Sequence, residues 1–228
     1  MNQAIDQPPG TGSWPGFVVV EGPIGVGKTT LAKRLARSLG SNMLLEAAEE
    51  NPFLEKFYEN PRNAALPTQL YFLMQRTRQL KKLKQDDMFN PVRVADFLIQ
   101  KDRLFAEVIL DSDELDLYEQ VYSNLTLDIR RPDLVVYLQA PVEVLLERIN
   151  RRGIKHEKWV EAAYLERLCD AYVRFFYQYN EAPLLIVNAA DSDFAHNDDE
   201  YELLLEQVLE TRSGRHYFNP VALQEVMA

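Results

Sequence analysis

The run Phe17-Val-Val-Val-Glu21-Gly22-Pro23-Ile24-Gly25-Val26-Gly27-Lys28-Thr29-Thr30 constrains this chain more than any other stretch. Phe17 to Val20 are apolar and read as a short buried strand. Gly22 to Thr29 then fit G-x-x-x-x-G-K-[ST] at every fixed position. An amphipathic run follows at once, with Leu31, Leu35 and Leu39 on one helical face. Strand, loop and helix in that order make the pattern a phosphate site. The glycines let successive N–H groups point at one phosphate, and the helix N-terminus adds its dipole. Lys28 supplies a point charge for the β and γ phosphates, and the Thr29 hydroxyl is placed to hold Mg²⁺. Residues 22–30 are therefore expected to bind a nucleoside triphosphate.

The chain has 228 residues, enough for a sizeable core and most simply one domain. Its composition, 46% apolar and 26% charged, is that of a soluble globular protein. A net charge of −10 argues against nucleic acid or an anionic membrane as a partner. The single cysteine, Cys169, excludes an internal disulfide framework and suits a reducing cytosol. No stretch approaches the roughly 18 apolar residues of a membrane span. Residues 1–16 show no signal peptide and read as a flexible lead-in.

Further strands are expected at Met43–Glu46, Val92–Asp96, Leu134–Leu138 and Leu184–Val187. Helices are expected between them, including one opened by Pro67 over 67–85 and one broken around Asp111. Alternating strands and helices imply parallel pairing with crossovers. The expected architecture is a P-loop NTPase three-layer α/β/α sandwich around a five-stranded parallel sheet. One domain spans 17–212, and a loosely held tail spans 213–228.

Other features narrow the chemistry. The guanine-binding pattern Asn-Lys-x-Asp is absent from the sequence. Arg148, Arg151 and Arg152 cluster before a segment without periodicity, where guanidinium groups could fold as a lid over a transferring phosphoryl group. Glu46 lies at the carboxyl end of the second strand, where open α/β sheets keep their ligands. It is a candidate general base, with Glu49 and Glu50 as rivals on sequence alone.

Residues 17–187 resemble the deoxynucleoside kinase family. The resemblance rests on the P-loop, Glu46, and Asn51-Pro-Phe-Leu-Glu-Lys-Phe-Tyr58. It extends to the spacing of Tyr58, Gln69 and Arg76, to Asp102-Arg-Leu-Phe-Ala106, and to Arg148, Arg152, Glu157 and Tyr164-Leu165. It implies ATP as phosphoryl donor, Mg²⁺ held by Thr29 and Asp96, and Glu46 as base for a 5′-hydroxyl. Lys28, Arg148 and Arg152 would act on the phosphates, and Asp193-Phe194 would lie over the ATP adenine. Tyr58 and Glu157 would hold the 3′-hydroxyl, and Gln69, Arg76 and Asp102 the base. A cytoplasmic homodimer is also implied.

Three positions depart from the family's pattern. Phe97-Leu98 stand where an arginine and a serine are usual after Asp96, and Ile154 replaces a further lid arginine. Lys101 and Arg151 are the nearest cations that could substitute. The reading is an ATP- and Mg²⁺-dependent deoxynucleoside kinase of nucleotide salvage, with purine deoxynucleosides preferred and deoxycytidine next. One rival is a catalytically weakened nucleotide-binding protein acting as subunit or regulator, which Phe97 favours. Another is a nucleoside monophosphate kinase, which would need cations for an acceptor phosphate.

Overall fold

Along β1 (Phe17–Glu21) every side chain is buried, and alternate residues enter different cores. Val18 and Val20 join one apolar cluster, Phe17 and Val19 the other. A strand buried on both faces needs a layer of helices on each side. The computed structural model, which describes residues 16–86, 93–154 and 157–220, shows those layers. On one face α1 (Lys28–Ser38), α6 (Val142–Arg152) and α8 (Asp198–Glu210) contribute Leu35, Leu145 and Leu204. On the other, α3 (Pro61–Asp86), α4 (Gln100–Ile109) and α7 (Ala162–Gln178) contribute Leu73, Leu104 and Phe176.

The remaining strands are β2 (Asn42–Leu44), β3 (Arg93–Ala95), β4 (Leu134–Gln139), β5 (Leu184–Asn188) and β6 (Arg215–Phe218). They form one parallel sheet in the order β2-β3-β1-β4-β5-β6. The chain leaves β1 toward β2 on one side and returns to β4 on the other. The carboxyl ends beside β1 therefore lie at a topological switch point, where such sheets bind ligands.

Three expectations change. The sheet has six strands rather than five, because the tail expected to hang loose supplies β6. Three of its four residues are exposed, so no periodicity registers, yet Phe218 is buried in the α1/α6/α8 core. The helix expected to open at Pro67 begins at Pro61 and runs through Pro67. Pro61 suits a first helical position, and Pro67 removes a single N–H from the ladder. Ala64 and Ala65 on that turn pack against Leu54 and Phe57 of α2 (Leu54–Glu59), which holds the helix across the proline. The lead-in before Gly16 and the tail beyond residue 220 lie outside the described residues. The break at Asp111 is real. Asp111 caps α5 (Ser112–Thr126) in a capping box with Glu114. No helix among the described residues is long and apolar enough to cross a membrane.

Phe218→Ala should lower unfolding stability by about 3 kcal/mol in denaturant titration, because the side chain leaves a packed core. An unchanged midpoint would mean that β6 is not held in solution.

Candidate active site

The loop after β1 is shaped by what presses on it. Gly25 has φ 85°, and a Cβ there would lie 2.8 Å from the Leu145 carbonyl oxygen of α6. Gly27 has φ 104° and precedes α1, whose N-terminus no side chain caps. The first-turn N–H groups are thus left for an anion. Lys28 reaches back over the loop, its Nζ donating to the carbonyls of Gly22 at 2.8 Å and Pro23 at 3.0 Å. Burial, and then the charge of Lys101, push the Lys28 ammonium down to about 8.

A cavity of about 840 Å³ opens over this loop. It is lined by residues 25–30, by Arg148, Arg151 and Arg152 of α6, and by residues 190–196. Arg148 does not cap its own helix. Its Nη2 donates to the carbonyls of Ala189 at 2.8 Å and Ala190 at 3.1 Å, just beyond β5. Arg152 pairs with Glu157, its Nε donating to Oε2 at 3.1 Å. Asp193 lines the same cavity but is exposed and bonded to His196, whereas Phe194 is buried against Gly27. A second cavity of about 720 Å³, bordered by Phe17, Phe97 and Phe175, contains none of the expected site residues.

Beside the loop, past the ends of β2 and β3, lies a buried network of charges. Asp96, just past β3, accepts from the Thr29 hydroxyl through Oδ2 at 2.6 Å and from the Glu46 amide through Oδ1 at 2.7 Å. The Glu46 carboxylate accepts from Arg76 through Oε1 and from Lys101 Nζ through Oε2 at 2.8 Å. Arg76 in turn donates to Asp102. Burial by itself would raise the Glu46 carboxyl, but Arg76 and Lys101, with Lys28 added, outweigh it and hold the group well below the usual carboxylate range. The rivals are elsewhere. Glu49 is exposed, and Glu50, also exposed, accepts from Gln75 at 3.0 Å.

Gln69 lies two helical turns before Arg76 on the same face of α3 and is buried. Burial pushes the Tyr58 hydroxyl well above its ordinary value, and Tyr164, Glu157 and Glu46 are near enough to add to the shift. Its helix, α2, packs on the single helical turn Glu157–Trp159. Phe97 points into the core, with the Arg76 guanidinium 5.9 Å from its ring centre. Two groups in the network are short of a partner among the described residues, Arg76 Nε and Asp102 Oδ2.

The profile of the deoxynucleoside kinases matches residues 18–212. The chain belongs to the deoxynucleoside kinase family. It is 36% identical over 200 residues to the deoxyguanosine kinase of Bacillus subtilis (strain 168), covering 85% of this chain and 96% of the relative. The deoxyguanosine kinase of Lactobacillus johnsonii is 31% identical over 206 residues, covering 84% and 90%. Among solved structures, deoxyadenosine kinase from M. mycoides with bound dATP superposes with a TM-score of 0.74 at 27% identity, covering 84% and 98%.

Three residues of this kinase escaped the reading of its sequence. Glu21 is fully buried at the end of β1 and faces no cation in its hydrogen bonds. It accepts from Gly22 N–H at 2.8 Å, Leu98 N–H at 2.8 Å and the Tyr172 hydroxyl at 2.9 Å. Its signal was a carboxylate ending an otherwise apolar strand. Gln75 and Gln79 of α3 donate to the carbonyls of Ala47 and Leu45, each at 3.3 Å, and clasp the segment that carries Glu46. β6 lies beyond the residues that the family profile covers.

Nucleoside triphosphate binding should take up protons above pH 8. The free Lys28, lowered to about 8, loses its proton there, and a phosphate beside it restores the charged form. Affinity should therefore fall as pH rises through 8. Calorimetry in buffers of different ionisation enthalpy reads the uptake, which Lys28→Met should remove. Proton release over that range would contradict this.

Proposed function

We propose that this kinase transfers the γ-phosphoryl group of ATP to the 5′-hydroxyl of a deoxynucleoside, purines preferred and deoxycytidine next, in nucleotide salvage. One observation carries the reading: Asp96 links the P-loop hydroxyl of Thr29 to the amide of Glu46, so the donor loop and the acceptor carboxylate share one hydrogen-bonded chain. Glu46 takes the proton of the 5′-hydroxyl. Loop amides, Lys28 and the arginines of α6 hold the phosphates in line. Thr29 and Asp96 offer hard oxygen donors suited to Mg²⁺, which takes one or two protein oxygens and fills its shell from phosphate and water. When bound, the ion neutralises charge on the β and γ oxygens.

On the acceptor side Tyr58 and Glu157 hold the 3′-hydroxyl, and Gln69, Arg76 and Asp102 read the base. An N–H donor and a carboxylate oxygen, each short of a partner, suit a base edge with one acceptor and one donor, such as N7 and N6 of adenine. The relatives named for deoxyguanosine support a purine as well. Residues 190–196 border the nucleotide cavity, which supports Asp193 and Phe194 lying over the ATP adenine. Exposed Met74, Leu117 and Leu127 on or beside α3 and α5 support a homodimer through those helices. The free Cys169 supports a reducing, cytoplasmic setting. The working unit is 17–212 with β6 added.

Turnover with ATP and Mg²⁺ should be measured on each of the four deoxynucleosides. The expected outcome is phosphorylation of a purine deoxynucleoside, with kcat lowered about 10²- to 10⁴-fold in Glu46→Gln. ATP binding without turnover on any of the four would overturn the kinase reading and promote a binding role.

A further inference from the structure

Lys101 lies in the first turn of α4, is only 5% exposed, and ends 2.8 Å from Glu46 Oε2. A buried ammonium costs several kcal/mol in desolvation and does little for stability that an apolar residue would not do. Its neighbours explain the placement. Glu46 is held at one oxygen by Arg76 and at the other by Lys101. Arg76 is fixed from behind by Asp102, which is fully buried, so that half of the clamp is rigid. Lys101 carries its charge on a four-carbon stem with three donors, and Lys28 is close enough for their charges to interact. With three donors it can keep one on Glu46 and turn another to an incoming oxygen.

We propose that Lys101 is a catalytic residue that touches the acceptor oxygen and the transferring phosphoryl group, supplying from α4 the positive charge that Phe97, buried in the core, does not supply from the end of β3. The inference rests on the kinase reading. The 5′-hydroxyl approaches from the side of this ion pair, within hydrogen-bond reach of both Glu46 Oε2 and Lys101 Nζ. Its O–H bond breaks and the proton passes to the Glu46 carboxylate, while the oxygen electron pair forms the bond to the γ phosphorus. The bond from that phosphorus to the β,γ-bridging oxygen breaks, and its electron pair leaves with ADP. Lys101 keeps its three protons and donates to the oxygens on which charge is redistributed. Lys28 serves the β and γ oxygens from the opposite, P-loop side.

The test compares wild type, Lys101→Ala and Lys101→Arg in steady-state kinetics on deoxyguanosine and deoxyadenosine, with thermal melts to report folding. Lys101→Ala should lower kcat on the order of 10³-fold, the scale of a lost transition-state cation. KM for ATP and nucleoside should stay within about threefold, because the lost contact is made in the transition state. Ethylammonium added to Lys101→Ala should restore part of kcat, whereas tetramethylammonium, with no N–H, should not. Lys101→Arg should exceed Lys101→Ala by about tenfold or more, because a charged donor remains. If Lys101→Ala turns over as fast as wild type, or its loss is in KM or melting alone with no rescue by ethylammonium, the inference is overturned and the kinase reading stands. A wild type that turns over no deoxynucleoside overturns both.

Discussion

The Asp96 carboxylate is the constraint on which the site depends. β3 lies parallel to β1 with Val19 opposite Ala95, so the residues leaving the two strands emerge side by side. Asp96 is the first of them on β3, and its two oxygens face opposite ways, one to Thr29 and one to the Glu46 amide. Glu21 makes the corresponding stitch from β1, joining the root of the P-loop to the Leu98 amide beyond β3. Two buried carboxylates thus fix two loops that no disulfide or covered hydrophobic contact could fix at the wet end of a sheet. Charge-assisted bonds to backbone N–H groups are the strong, directional kind, and they hold here where packing runs out.

The charge network around Glu46 is costly for stability. Arg76, Asp102, Lys101 and Glu46 are removed from water together, at side-chain exposures of 3%, 0%, 5% and 16%. Each ion gives up several kcal/mol of hydration, and mutual attraction returns that only when geometry and further hydrogen bonds are good. Arg76 Nε and Asp102 Oδ2 remain without partners among the described residues, so the return is incomplete. A cluster of leucines would fill the same volume at least as stably. The network makes sense as preorganised polarity for a bound substrate, with ions already oriented before the reacting charge moves.

Most of the fold was legible because strands buried on both faces leave an unmistakable mark. Val18–Val20 and Leu134–Leu138 are continuous apolar runs, and the P-loop fixes where the first one ends. β6 was not legible, since Arg215, His216 and Tyr217 are exposed at a sheet edge and only Phe218 enters the core. The start of α3 was misplaced because Pro67 reads as a beginning, while burial of Ala64 and Ala65 against α2 is a tertiary fact. Sequence singled out Glu46 with two rivals, and only the side chains separate them, Glu46 turned to Arg76 and Lys101 and Glu50 to solvent and Gln75. Glu21 could not be assigned from a string, because its three donors come from residues one, 77 and 151 positions away.

A chain with net charge −10 still concentrates cations where phosphates go, and the arrangement shows how. Lys28, Arg148 and Arg152 are each held by oxygen acceptors: loop carbonyls, carbonyls past β5, and the Glu157 carboxylate. Carbonyls orient a cation without cancelling its charge, so Lys28 and Arg148 remain attractive to an anion. Arg152 differs, because Glu157 neutralises it and a phosphate must compete for it. Around Glu46 one guanidinium serves two carboxylates, with Arg76 donating to Asp102 and to Glu46. The group held by Asp102 therefore also sets the field on Glu46, whose carboxyl it holds down. Asp102 and Glu46 are joined by the length of a single side chain, so separate cations at each carboxylate in place of Arg76 would uncouple them.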